Sequence, residues 1–257
     1  MLLGIDHLVI AVRDPDAAAA VLGRGVGLVS TGGGRHRTAG TFNRLAFLGD
    51  AYVELIGVFD AALVERAVTF PVSRAALDRL RSRHQGLATW AVATDDIAAD
   101  VARLAGGGST IGDPVAGSRL RPDGEEVRWS TAFPVLGPDR PPFLIEHEPR
   151  GAEWGDDARG ARAAFRHPGG GRVRLAGLSL PVGDPMQVAE AFGRDDGIAL
   201  HAAGADRWRG SVGPHAVELR RAAGPRALPL VDLVGEAGTP ALDVVRFGVR
   251  WRRRPAV

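Results

Sequence analysis

The chain has 257 residues, 45% of them hydrophobic and 24% charged, enough for a full core in one large or two to three small domains. All 32 basic residues are arginine, dispersed among 30 acidic ones for a net charge of +2, which argues against a nucleic-acid surface. Cysteine and lysine are absent, which excludes disulfides, thiolate nucleophiles, Cys-bound metal, a Schiff-base lysine and a Walker-type phosphate loop.

Residues 5–12 are apolar and β-branched and read as a strand with two faces: Leu8, Ile10 and Val12 on one, His7, Val9 and Ala11 on the other. Asp14 supplies an N-cap and Pro15 the first helical position. An Ala-rich helix follows to Leu22, with Gly23 or Gly25 to end it. Residues 28–57 read as three further strands joined by Gly-rich turns, so 1–59 forms a βαβββ unit. Glu54 shares a strand face with Tyr52 and Ile56, opposite Val53 and Leu55, and is expected to point toward a cavity. An insertion over 60–84 carries a helix capped by Ser73 and running from about residue 74 to 83.

The plan then recurs. Residues 89–94 read as a strand, Asp95-Asp96 as the next cap, and Ile97, Val101 and Leu104 as one face of an amphipathic helix ended by Gly106-Gly107-Gly108. A turn at Pro122-Asp123-Gly124, a strand over 126–133 and a closing strand over 142–146 complete a second unit, 85–149. Residues 150–172 read as a linker. A third unit, 173–257, opens with a strand over 175–182, where Val182-Gly183-Asp184-Pro185 parallels Val12-Arg13-Asp14-Pro15. Its closing strand is expected over 230–235, which sets Gly177 opposite His7 and Asp232 opposite Glu54. No apolar run nears the ~20 residues of a membrane span, and no signal-peptide pattern opens the chain. The expectation is a cytoplasmic α+β protein with no membrane partner.

The stretch Asp6-His7-Leu8-Val9, the block Gly33-Gly34-Arg35-His36…Gly40-Thr41-Phe42-Asn43-Arg44, Glu54 in its strand, and Pro142-Phe143-Leu144-Ile145-Glu146 resemble the vicinal-oxygen-chelate superfamily, and more narrowly its glyoxalase-like branch. The resemblance implies that the two modules of 1–149 pair into a curved-sheet half-barrel around a cavity, with the third module degenerate. It implies a metal site with one ligand from the first and one from the last strand of each paired module, here His7, Glu54, Thr89 and Glu146. Thr89 stands where a second histidine is usual, leaving His7, Glu54 and Glu146 as the expected ligands of a divalent ion such as Zn, Mn, Fe, Ni or Co.

Such an ion stabilises an enolate or enediolate, while Glu54 or Glu146 moves a proton to or from carbon. The implied activity is an isomerase, epimerase or lyase acting on a small oxygenated substrate. Extradiol oxygen cleavage fits less well, because that iron site needs two histidines. His36 is a candidate second imidazole or substrate contact, and Asn43, Thr89 and Trp129 are candidate substrate-binding residues. Arg35 and Arg44 either clamp an anionic substrate or pair with Glu54, Glu146 or Asp50. His147 alternates to the face opposite Glu146 and reads as structural. The rival reading is a metal-free small-molecule binding or resistance protein of the same fold, which Thr89 favours. An odd number of modules leaves the third unpaired, so it is expected to pack on the main barrel or to pair across a homodimer axis.

Overall fold

A computed structural model describes residues 1–67, 71–82, 84–135, 142–224 and 226–256. Strand β1 (Leu2–Ala11) is buried on both faces from Gly4 onward, as suits an apolar run covered from two sides. Asp14 caps α1 (Pro15–Val26), its carboxylate accepting from the Asp16 and Ala17 backbone N–H groups. The helix runs through Gly23 and Gly25, the expected stops, and ends at Gly27, whose φ of 80° is left-handed. Burial of Val26 against the core carries the last turn past the weak helix formers. Strands β2 (Gly32–His36), β3 (Thr41–Leu48) and β4 (Ala51–Val58) complete the first module.

The insertion holds two helices, α2 (Ala61–Arg66) and α3 (Pro71–Arg81). Ser73, expected as the cap, lies inside α3, where it is buried and its hydroxyl meets Thr41 Oγ1 at 3.2 Å. The second module comprises β5 (Gly86–Thr94), α4 (Ile97–Gly106), β6 (Val115–Leu120), β7 (Glu126–Ala132) and β8 (Pro142–His147). The two modules meet through antiparallel β1 and β5 and pair their curved sheets around a cavity, as expected, closing into a barrel in the order β1-β4-β3-β2-β6-β7-β8-β5. The seam is a single β2–β6 pairing at Arg35 and Leu120.

Residues 150–172, read as a linker, contain α5 (Gly151–Trp154) and α6 (Asp156–Ala164) and bury Glu153, Trp154 and His167. The remaining chain forms β9 (Arg174–Val182), α7 (Pro185–Asp195), β10 (Leu200–Ala202), β11 (Arg207–Val212), β12 (His215–Arg221), β13 (Leu230–Gly235), β14 (Leu242–Arg246) and β15 (Val249–Pro255). They make an open seven-stranded sheet, β10-β11-β12-β9-β13-β15-β14.

Strand direction corrects the expected third module. β12, not β13, runs parallel to β9 as β4 does to β1. β13 is antiparallel to β9, as β5 is to β1, and β15 is parallel to β13, as β8 is to β5. The strand expected to close the third unit therefore opens a fourth, reduced one with no helix between β13 and β14. Ser179 stands where Val9 stands, so the counterpart of Glu54 is Glu218, the partner of Ser179, rather than Asp232.

One face of this sheet packs on the outside of the barrel. Leu178, Leu180, Val217, Leu219, Val231 and Trp251 share one apolar cluster with Leu8, Ile10, Val53 and Trp90. Among the described residues, no helix is long and apolar enough to cross a membrane.

Candidate functional site

Alternation along β1 and β4 divides their side chains between two environments. Leu8, Ile10, Val53 and Leu55 enter the core between barrel and sheet, while His7, Tyr52, Glu54 and Ile56 line the barrel interior. The interior is a small cavity of about 80 Å³, walled largely by apolar groups such as Leu45, Trp129, Phe133 and Phe143. Val72 and Ser73 of α3 and Trp154 of α5 also line it.

Both modules supply polar groups to the cavity. His7 Nδ1 donates to Asp6 Oδ1 at 2.6 Å, and His147 Nε2 donates to the same oxygen at 3.2 Å. Burial pushes the Asp6 carboxyl up, but the charge and hydrogen bonds of His147 and His7 outweigh it and hold the group well below the usual carboxylate range. With Nδ1 committed to Asp6, the Nε2 atom of His7 faces Glu54 Oε2 at 3.6 Å. Tyr52 stacks on the His7 ring at 4.5 Å and fixes its plane.

Glu54 is 6% exposed, and a carboxylate there needs partners. Its Oε1 accepts from Asn43 Nδ2 at 2.6 Å, and Asn43 Oδ1 accepts from the Gly34 N–H at 2.8 Å. Asn43 thus ties the Glu54 carboxylate to two neighbouring strands and leaves Oε2 toward His7. His36 Nδ1 lies 2.9 Å from Thr41 Oγ1, and its ring meets Trp129 edge-on at 5.9 Å. Burial pushes the His36 imidazole down to about 4, with the Arg119 charge adding to it, so the ring is neutral at physiological pH.

The expected site residues do not all meet. His7, His36, Asn43, Glu54 and Trp129 line the cavity. Glu146 does not: its Oε2 accepts from the Ile97 N–H at 3.0 Å, outside the barrel at the start of α4. His147, expected to be structural, lines the cavity instead and stacks on Trp154 at 3.4 Å. Register explains the exchange, because β7 and β8 pair Trp129 with His147 and Ser130 with Glu146. Arg35 is exposed and lies over the Phe59 ring at 4.2 Å, and Arg44 pairs with Asp16 at 2.6 Å, so neither turns inward. Thr89 is buried opposite Val9 but is not part of the cavity lining.

Among the described residues, Arg119 is the arginine that does reach the interior. It is 5% exposed, its NH1 donates to Gly33 O at 3.0 Å, and its NH2 pairs with Glu153. The sequence reading gave Arg119 and Trp154 no role, quoted Asp6 only within the opening motif, set Tyr52 on the Glu54 face without naming it a site residue, and took His147 as structural. Strand alternation from His7 and Glu54 was the available signal for Tyr52, whereas Arg119 and Trp154 depend on tertiary packing of distant segments.

The expected metal set therefore does not fit the residues present. The cap residues Asp14 and Asp96 align Val9 with Ala91; Val9 pairs with Glu54, and Ala91 pairs with Phe143. The second module thus supplies Thr89 and Phe143 at the two ligand positions, and neither replaces an imidazole or a carboxylate. Among the described residues, no three His, Asp or Glu side chains are spaced to hold a metal ion.

The family described as glyoxalase-like domain matches residues 5–196. Among solved structures, a hypothetical protein from Staphylococcus aureus superposes over 100% of both chains with a TM-score of 0.82 at 16% identity. A triple mutant of 4-hydroxymandelate synthase from Streptomyces coelicolor is similar over 92% of this chain and 72% of that one, with a TM-score of 0.52 at 14% identity. Methylmalonyl-CoA epimerase from Mycobacterium tuberculosis aligns over 57% of this chain and 89% of its own, with a TM-score of 0.42 at 19% identity. No curated protein matches the sequence. At these identities the structural likenesses speak for the fold alone.

Proposed function

The chain belongs to the glyoxalase-like domain family of the vicinal-oxygen-chelate superfamily, and on that premise we propose that it is an isomerase or epimerase that moves a proton on a small oxygenated substrate held inside the barrel. The observation that carries the reading is the pair at the inner wall: Glu54 Oε2 and His7 Nε2, 3.6 Å apart, with Asp6 behind the imidazole and Asn43 beside the carboxylate. The Glu54 carboxylate takes the proton from a carbon next to a carbonyl. His7, its Nδ1 held by Asp6, aims Nε2 at the same point and exchanges a proton with the substrate oxygen on which charge develops. Glu54 then delivers its proton to the neighbouring carbon in an isomerisation, or, once the bound enol has turned over, to the opposite face of the same carbon in an epimerisation, and the site is regenerated.

This reading uses no divalent ion: Thr89 replaces the second imidazole and Glu146 lies outside the barrel on the Ile97 N–H, which leaves only His7 and Glu54 of the four expected ligands in the cavity. The largely apolar wall also favours the second reading, a small-molecule binding or resistance protein.

Deuterium exchange separates the two. The purified protein, incubated in deuterated buffer with a panel of small α-hydroxyketones and α-hydroxyaldehydes, is expected to exchange the α-proton by NMR. Glu54→Gln is expected to slow the exchange by at least ~100-fold while still binding the compound. Binding without exchange in the wild-type protein supports the sequestration reading instead.

A further inference from the structure

The geometry points to Arg119 as the specificity-determining residue of the cavity, selecting a substrate that carries a carboxylate, with Glu153 of α5 as the internal counter-ion that the substrate displaces. The inference rests on the proton-transfer reading for the identity of the reacting end, and it adds the chemistry of the other end.

Arg119 and Glu54 lie on different parts of the barrel wall. Between β4 and β6 come β3 and β2, three strand spacings or about 14 Å of arc. A compact molecule bound between them presents one end to the His7–Glu54 pair and the other to a guanidinium. Arg119 is the arginine among the described residues that lines this cavity, and a buried guanidinium requires an anion.

That anion comes from outside the barrel. Glu153 belongs to α5, a four-residue helix in the segment that joins barrel to sheet, and is 4% exposed. Its carboxylate is shared between Arg119 NH2 and Arg121 NH1, the latter at 3.1 Å. Arg121 has further anions in Asp123 at 2.9 Å and Glu125 at 3.5 Å, so it keeps partners when Glu153 leaves. No second carboxylate pairs with Arg119 among the described residues. An entering carboxylate restores the pair and reproduces the planar, two-oxygen acceptor that a guanidinium fork recognises. The neighbouring Trp154 lines the same cavity and stacks on His147, so displacement of Glu153 is felt at a cavity-lining tryptophan.

Tryptophan fluorescence reports the event, because Trp129 and Trp154 both face the cavity. The wild-type protein is titrated with racemic 2-hydroxybutyrate and with the isosteric, uncharged 2-hydroxybutanamide. The carboxylate is expected to bind at least ~10-fold more tightly than the amide. Glu153→Gln removes the internal competitor and is expected to tighten 2-hydroxybutyrate binding by about 5-fold or more while leaving the amide unchanged. Arg119→Gln is expected to erase the preference between the two.

Equal binding of acid and amide by the wild-type protein, or binding of neither, overturns the inference. So does a Glu153→Gln protein that folds with the wild-type circular dichroism spectrum and binds the acid no better. These are binding readouts, so a failure of the proton-transfer reading shows separately, as absent deuterium exchange in a protein that still discriminates the acid.

Discussion

Glu54 is a carboxylate set in a wall of apolar side chains, and its orientation depends on one amide. Asn43 Nδ2 holds Oε1 while its own oxygen is held by the Gly34 N–H, so the carboxylate cannot turn without breaking its bond from β3 or pulling Asn43 off β2. In the proton-transfer reading Asn43 is a positioning residue. Asn43→Ala is expected to lower kcat by roughly 10- to 100-fold with little change in KM, and Asn43→Asp to place a second carboxylate at 2.6 Å and raise the pH needed for full activity. A pH–rate profile on both variants checks this, since a purely structural role leaves the profile in place. At this scale the sequence was informative wherever strand parity was enough: His7, Asn43, Glu54 and Trp129 all lie on the cavity wall. It failed at Glu146 and His147, neighbours that trade places under a one-residue choice of register, a choice set by pairing with β7 rather than by either residue.

Individual elements were legible to the extent that their ends carry chemistry. Asp14, Asp96 and Asp184 each cap a helix with a side-chain carboxylate, and each was readable as the residue before an apolar-periodic run. The helix end at Gly27 was not, because three glycines compete and tertiary packing selects the last. A Cβ at Gly27 would sit 2.7 Å from Gly169 Cα, where the connector crosses the end of α1, and the φ of 80° adds conformational strain. Gly27→Ala is expected to destabilise the protein by about 2 kcal/mol, measured as a lowered urea midpoint, while Gly23→Ala is neutral or stabilising. The same crossing shows that the connecting segment 150–172 is packed against the barrel. His167 accepts from Val29 N at 3.0 Å through Nδ1 and donates to Phe47 O at 2.7 Å through Nε2, contacts between segments more than 100 residues apart that leave no local pattern.

At the scale of the whole molecule, the barrel and the C-terminal sheet follow one strand order, complete in the first and one strand short in the second. The sheet does not close on itself; it uses its apolar face to cover the outside of the barrel, and a histidine marks the junction. His215, at the start of β12, accepts the Ile5 N–H of β1 through Nδ1 at 2.8 Å, a bond that only an unprotonated nitrogen can make. Burial pushes this imidazole down to about 4, against a weaker opposite pull from Asp50. His36 inside the barrel is depressed to the same level, again chiefly by burial. In both cases the folded value lies below the ordinary 6.5, so between these limits the unfolded chain binds more protons than the folded one. The stability from the two neutral rings is therefore complete above about pH 6.5 and is lost progressively as pH falls toward 4. The urea midpoint is expected to fall steeply across that window. His215→Gln, whose amide oxygen can accept from Ile5 N without titrating, is expected to flatten part of the slope, and His36→Gln another part. Parallel midpoint-versus-pH curves for wild type and both variants would show that neither imidazole couples its protonation to stability, His215 at the junction or His36 inside the barrel.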